Sequence, residues 1–128
     1  MTLLLRLRFA LIVMTLGATA WVGAAGAVEP VIEFVSGLRE RGYFDVAEQY
    51  LTSLEQRPGL PRELKDVIPY ELGVTLRDSA RRLLIPEEQR VRLDEAQAAF
   101  ESFAKSAPNH PLAGRANSEW AKILVEKA

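Results

Sequence analysis

One pattern of residues occurs twice in this sequence. Each copy has an alanine, two large apolar residues at helical spacing and a closing proline. The copies are Ala47, Leu51, Leu54 and Pro58, and then Ala96, Phe100, Phe103 and Pro108. The first three positions are offset by 49 residues. An internal repeat means that one supersecondary unit is used more than once, so it constrains the architecture more strongly than any local pattern.

Apolar residues recur at spacings of three and four from Val31 onwards, which predicts helices. The predicted helices cover about 31–41, 43–57, 62–84, 86–106 and 112–127. Gly42 is the expected stop of the first helix, because glycine adopts the left-handed conformation at low cost. Pro86 suits a first helical position. With no alternating strand-like segment, the sequence predicts an all-α fold.

Two features of these helices are more specific. Pro69 predicts either a kink in the third helix or a break at Ile68 with a new helix starting at Pro69. The inward face of the fourth helix is expected to be Val91, Leu93, Ala96, Phe100 and Phe103. The inward face of the fifth is expected to be Ala113, Ala116, Trp120, Ile123 and Leu124.

The first 27 residues have the three-part layout of a signal peptide. Arg6 and Arg8 are their only charges, an uncharged apolar run follows, and Ala25-Gly26-Ala27 supplies the small residues that precede a cleavage site. The sequence therefore predicts a signal peptide over 1–27, with cleavage after Ala27, and a mature domain over 28–128. The alternative is a retained membrane anchor, because the uncharged run is long enough to cross about 30 Å of hydrocarbon.

Composition excludes several classes of function. The chain has no cysteine, which removes thiol nucleophiles, Cys-ligated metals and a lipid-modified N-terminal cysteine. Its formal net charge is -1, and loss of residues 1–27 would remove two positive charges and no negative one. A mildly acidic mature chain argues against nucleic acid as a partner.

No motif for catalysis stands out. The carboxylate pairs Glu87-Glu88 and Asp94-Glu95 are interpreted as residues at helix beginnings, where the helix dipole favours them. His110 lies in a predicted loop, where a solvent-exposed turn residue is expected, and no serine has a Gly-x-Ser-x-Gly setting. We therefore predict no catalytic, cofactor-binding or metal-binding residue, and a protein that is not an enzyme.

The repeated residues resemble the tetratricopeptide repeat (TPR) family, in particular its exported bacterial members. That family's unit is a helix-turn-helix of about 34 residues with small residues where the helices touch. The matching positions are Leu38, Gly42, Ala47, Leu51, Leu54, Leu72, Gly73, Leu76, Ala96, Phe100, Phe103 and Pro108. The resemblance implies a short α-solenoid of stacked antiparallel hairpins, about two and a half repeats: 31–61, 62–111 and a partial third over 112–128.

The second copy departs from the family pattern. First-helix positions repeat at an offset of 38, as from Leu38 to Leu76, whereas second-helix positions repeat at 49. The difference predicts a lengthened, protruding hairpin from Arg77 to Leu93. This hairpin carries a cluster of five arginines: Arg77, Arg81, Arg82, Arg90 and Arg92. The cluster is interpreted as a solvated face balanced by nearby carboxylates, with a polyanion or lipid-headgroup site as the alternative.

The resemblance also implies a concave binding surface formed by first-helix side chains. Its expected residues are Ser36, Arg39, Glu40, Tyr70, Val74, Arg77 and Asp78. We expect an exported interaction scaffold that binds a partner protein or peptide in the periplasm or cell envelope. The alternative is a membrane-anchored spacer or oligomerisation segment of a larger envelope assembly, with contact to the membrane only through an uncleaved N-terminal segment. The last helix, lacking a predicted partner, suggests either a longer array or a homo-oligomer.

Overall fold

The computed structural model describes residues 25–128, which form five α-helices and no β-strand. The helices are α1 (Ala25–Glu40), α2 (Phe44–Glu55), α3 (Arg62–Ala80), α4 (Pro86–Ser106) and α5 (Ala113–Lys127). The all-α prediction is confirmed. Within these residues no helix is both long and apolar enough to cross a membrane. The predicted signal peptide or anchor lies in residues 1–27, and residues 1–24 are outside the described part.

The turn between α1 and α2 is built around Gly42, as the sequence predicts. Gly42 has a φ of 80°, a conformation that costs an L side chain energy and glycine very little. Its N–H donates to the Arg39 carbonyl at 3.0 Å, and the N–H of Tyr43 donates to the Leu38 carbonyl at 2.9 Å. This pair of bonds is the Schellman motif, which satisfies the last carbonyls of α1 and reverses the chain into α2.

Helix α3 runs through Pro69 without interruption, so the predicted break at Ile68 is wrong. Proline removes one intrahelical hydrogen bond. Ile68 and Tyr70 on either side are both buried, in the two different core clusters described below. Their burial holds the turns before and after the proline in one helix.

The core consists of two clusters that share α3. The first cluster joins α1, α2 and the start of α3 through Val35, Leu38, Ala47, Leu51, Leu54 and Ile68. The second joins α3, α4 and α5 and is centred on Phe100 and Phe103. Leu72 packs against both clusters. Helix α3 therefore belongs to both clusters; α1, α2 and α4 pack against it, and α5 packs mainly against α4.

The apolar residues of the repeated pattern are buried in both clusters. Ala47 of α2 and Ala96 of α4 have no exposed surface, and Phe100 and Phe103 are buried. Small residues permit close approach of helix axes, and the large residues fill the space beside them. Trp120 of α5 packs on the second cluster with its indole nitrogen buried and without a hydrogen-bond partner in residues 25–128.

Three details of the predicted faces and ends are wrong. Val91 is 52% exposed, because it lies two residues before the buried Leu93 and so points about 200° away from it around the helix. Leu124 is also exposed, and the buried position beside it is Ile123. Asp94 and Glu95 lie well inside α4 rather than at a helix beginning, since the helix starts at Pro86.

The α3–α4 hairpin protrudes less than predicted. Leu84, in the turn, is 96% exposed, and Ile85 beside it is half exposed. Arg77 and Leu93, the predicted ends of the protruding segment, are both covered. Arg77 is covered by an ion pair with Glu119 of α5, and Leu93 belongs to the second core cluster. The exposed part is therefore confined to the turn and the first turns of α4.

Gly73 marks a close contact between α3 and α4. A Cβ atom added there would lie 2.9 Å from Cδ1 and Cε1 of the Phe100 ring. Real Cβ atoms do not approach other atoms this closely, so the absence of a side chain at Gly73 is what lets the Phe100 ring lie against α3.

We expect Gly73→Ala to lower the free energy of unfolding by about 1 kcal/mol. Overpacking against Phe100 costs about 1–3 kcal/mol, and the better helix propensity of alanine returns at most about 1 kcal/mol. Gly37→Ala in α1 is the matched control, because a Cβ there meets nothing within 4 Å. It should be stabilising by up to about 1 kcal/mol. Urea unfolding followed by circular dichroism measures both; stabilisation of equal size would contradict the packing argument.

Candidate functional site

Five of the seven predicted concave-face residues line one groove. They are Ser36, Arg39 and Glu40 of α1 with Val74 and Asp78 of α3. Phe44, Arg81 and Arg82 complete the lining, and the cavity measures about 370 Å³. We call this site the α1–α3 groove. It lies at the carboxyl-terminal ends of the two helices, beside the Gly42 turn.

Sequence reasoning missed Phe44, Arg81 and Arg82 as lining residues. The sequence predicts that Arg81 and Arg82 belong to a positive cluster on a protruding hairpin. Because α3 ends at Ala80, both follow directly after the helix and stay beside the end of α1. Phe44 begins α2 immediately after the Gly42 turn, which places it at the same end.

Tyr70 and Arg77 do not line the groove. The Tyr70 ring lies in the second core cluster, with its centroid 5.7 Å from that of Phe100 and 5.4 Å from that of Phe103. Burial raises the pKa of the Tyr70 hydroxyl. The expectation that Tyr70 contacts a partner does not fit this position, because aromatic pairing in the core takes up the ring.

Arg39 is held against α3 by a buried polar network. Its Nη1 atom donates to Oε2 of Glu71 at 2.7 Å and to the hydroxyl of Thr75 at 3.3 Å. The Thr75 hydroxyl in turn donates to the backbone carbonyl of Glu71 at 2.8 Å. The Arg39 and Glu71 side chains are only 12% and 7% exposed. Arg39 therefore borders the groove as part of its frame, with its charge already matched.

Arg77 makes the corresponding bond from α3 to α5. Its guanidinium pairs with Glu119 and also with Oδ1 of Asp78, the latter at 2.8 Å. Burial lowers the pKa of Arg77, but the bonds to Asp78 and Glu119 outweigh it and the net pKa is raised. Burial also raises the pKa of Glu119, and the bonds to Lys122 and Arg77 reverse this to a net lowering. The pair is therefore ionised at neutral pH.

The two arginine–glutamate pairs form a series that we call the ion-pair ladder: Arg39–Glu71 from α1 to α3 and Arg77–Glu119 from α3 to α5. Arg39 and Arg77 are 38 residues apart, which is also the offset between Leu38 and Leu76. The 38-residue offset therefore also separates the two arginines, whereas their partners Glu71 and Glu119 are 48 residues apart. No sequence reasoning had singled out Glu71 or Glu119, because the only available signal was this matched spacing of arginines.

The charges that remain available in the α1–α3 groove are of both signs. Glu40 is exposed and accepts a weak hydrogen bond from Ser36 at 3.4 Å. Arg82 is exposed and has no ion-pair partner among residues 25–128, whereas Arg81 pairs with Glu126. Phe44 and Val74 supply apolar surface between them. This arrangement can bind a ligand that has both polar and apolar groups, and it has no excess of one charge.

The other candidate residues of the sequence are engaged in structural contacts. Four of the five clustered arginines form ion pairs, which favours a balanced solvated face over a polyanion site. His110 is half-buried, not solvent-exposed as expected, and its Nδ1 atom accepts a hydrogen bond from the Leu112 amide at 3.1 Å. Its ring stacks edge-on against Phe103. Within residues 25–128 no cluster of three potential metal ligands occurs.

Comparisons of this chain with protein-family models, with curated proteins and with solved structures give no significant match. The α1–α3 groove and the ion-pair ladder are therefore the features from which function is inferred.

We expect Arg39→Met to lower the free energy of unfolding by about 3 kcal/mol, because Glu71 would remain buried without a counter-charge. The double variant Arg39→Met/Glu71→Leu should regain most of this loss, since an apolar pair of similar volume avoids the desolvation of both ions. Arg41→Met, at an exposed neighbouring position, is the control and should change stability by less than about 0.5 kcal/mol. Urea unfolding measures all three; equal effects of Arg39→Met and Arg41→Met would contradict a structural ladder.

Proposed function

We propose that this protein is an interaction scaffold that binds a segment of a partner protein in the α1–α3 groove. The observation that carries the proposal is the groove itself: two helices, framed by the Arg39–Glu71 pair, present exposed polar groups of both signs around an apolar patch. Binding sites on rigid helices hold their side chains in place at little entropic cost. The proposal assigns no catalytic activity and no cofactor.

The proposal includes a repeat arrangement of the TPR type. Three features support it: the buried alanines at matched positions, the two arginine–glutamate pairs whose arginines are 38 residues apart, and the packing of α3 against both preceding helices. In such an array α1, α3 and α5 are the first helices of successive units, and α5 begins a third. Stacked units that each contact their neighbours form an extended surface suited to protein segments.

The preferred ligand is a short peptide with both charged and apolar side chains. Glu40 and Arg82 would pair with opposite charges along the segment, and Phe44 would contact an apolar side chain between them. A uniformly acidic or basic ligand would meet one repulsive group at this groove, which lowers its affinity relative to a mixed sequence.

For location, we propose export to the periplasm or cell envelope through the N-terminal segment, with a membrane-anchored spacer as the second candidate. One observation favours the anchored form: α1 begins at Ala25, so helix already covers the predicted cleavage position after Ala27. N-terminal sequencing of the protein from the envelope fraction separates the two. A start at Val28 supports the exported scaffold, and an intact Met1 supports the anchored spacer.

Binding through the groove is tested by affinity capture from extracts of the producing cells. We expect the charge-reversal variant Glu40→Lys/Arg82→Glu to lose most of the partner recovered by the wild type. Both residues are exposed and neither forms the ladder, so folding should be retained. The control is Arg57→Glu/Glu63→Lys, which makes the same charge changes at exposed positions outside the groove. Equal recovery by the two variants would reject the groove as the binding site.

A further inference from the structure

A second groove lies on the other side of α3, between α2 and α4. Its floor is formed by Leu72 and Leu76 of α3, and its walls include Thr52 of α2 and Ala98 of α4. Leu72 and Leu76 are each two positions from Val74, which lines the α1–α3 groove. Residues two apart on a helix point about 200° apart, so the grooves occupy opposite sides of α3. We call this second site the α2–α4 groove.

The groove is open because α2 and α4 each pack against α3 rather than along one another. Arg92 of α4 reaches across to Glu48 of α2 at 3.1 Å and also pairs with Glu95. The central cavity measures about 430 Å³, and it shares Glu48, Thr52 and Glu95 with adjoining hollows of about 510 Å³ and 410 Å³. The first adjoining hollow lies along α2, and the second lies along the first turns of α4.

The α2–α4 groove has a strong excess of negative charge around an apolar floor. Its lining includes one basic residue, Arg92, and six carboxylates: Asp45, Glu48, Glu55, Glu87, Glu88 and Glu95. Burial lowers the pKa of Arg92, but its bonds to Glu95 and Glu48 outweigh this and the net pKa is raised. Arg92 pairs with Glu48 and Glu95, and Arg90 pairs with Glu87, which leaves Asp45, Glu55 and Glu88 without an ion-pair partner among residues 25–128. This distinguishes the surface from the α1–α3 groove, where both signs are present.

We propose that the α2–α4 groove docks a basic amphipathic helix of a partner protein. An apolar stripe on that helix would contact Leu72 and Leu76, and lysine or arginine on either side would pair with the carboxylate rims. Ala98 and Ala99 are small enough to let a helix axis approach closely. The wall of the groove from Glu88 to Ser102 extends about 21 Å along α4, which is the length of a helix of about 14 residues.

Charge also selects this occupant over a second copy of the chain. The mature chain is mildly acidic, and two copies meeting at this surface would bring carboxylates together. The proposal does not depend on the α1–α3 groove, because the two sites use opposite faces of α3 and share no lining residue.

The test uses the full chain and three labelled peptides of about 16 residues, long enough to span the groove. The first consists of leucine, alanine and lysine, with leucines on one helical face and lysines beside them. The second replaces each lysine by glutamate. The third has the composition of the first in an order that abolishes the apolar face. Fluorescence anisotropy should show binding of the first peptide, and about tenfold weaker binding of the other two.

Two groups of protein variants locate the site. Glu48→Gln/Glu55→Gln/Glu95→Gln should weaken binding about tenfold, whereas Glu29→Gln/Glu33→Gln/Glu63→Gln, at exposed positions outside the groove, should change it less than about twofold. Ala98→Trp fills the groove without changing charge and should also abolish binding; Ala121→Trp on the exposed side of α5 is its control. Circular dichroism confirms that each variant is folded.

Three results would overturn the proposal. Equal binding of the first and third peptides would show general attraction to negative charge without a docking site. Equal weakening of peptide binding by the two triple variants would also show general attraction to negative charge without a docking site. If the chain dimerises in sedimentation experiments and Ala98→Trp makes it monomeric, the occupant is a second copy rather than a basic partner helix.

Discussion

Burial of charge between alternate helices is the constraint on which this structure depends. Arg39 and Glu71 are almost completely removed from water, and so are Arg77 and Glu119. Removing an ion from water costs several kcal/mol unless a partner is placed within hydrogen-bonding distance. In each pair the two charged groups lie within hydrogen-bonding distance in only one register of the two helices. A helix that slid by one turn would leave a buried charge unmatched, whereas leucine and alanine contacts alone would tolerate the shift.

This constraint explains why α3 has different surfaces on its two sides. On one side its polar residues meet α1 and α5 through the ion-pair ladder and form the frame of the α1–α3 groove. On the other side its leucines form the floor between α2 and α4. A single helix therefore separates a surface of mixed charge from an acidic one, and it belongs to both core clusters. The two proposed interaction surfaces therefore keep a constant distance from each other.

Much of the fold could be predicted because local chemistry decides it. Gly42 ends α1 since few other residues adopt its backbone conformation cheaply, and Pro86 begins α4 since its missing N–H is not needed there. The alanines at 47 and 96 were predicted to be buried from their repeated spacing, and they are. Each of these features depends only on residues within one helical turn or on the spacing of the sequence repeat.

The remaining errors have a common cause, which is that side-chain partners come from distant parts of the chain. Tyr70 and Val74 are one turn apart on α3, but Tyr70 faces Phe100 and Val74 faces α1. Only the position of α4 determines which of the two residues lies in the second core cluster. Arg77 was assigned to a binding surface because its partner, Glu119, lies 42 residues away. Val91 is a different case: it is two residues from the buried Leu93, so helical periodicity itself places it on the opposite side of α4.

The position of Trp120 determines what the tryptophan fluorescence of this protein reports. The chain has two tryptophans, and Trp21 lies in the segment that signal cleavage would remove. The indole of Trp120 lies against the second core cluster, with its nitrogen shielded from solvent. In a processed chain all tryptophan emission would come from this one ring on α5. The wavelength of its emission maximum would then report whether α5 is packed against the second core cluster, separately from the folding of the first hairpin.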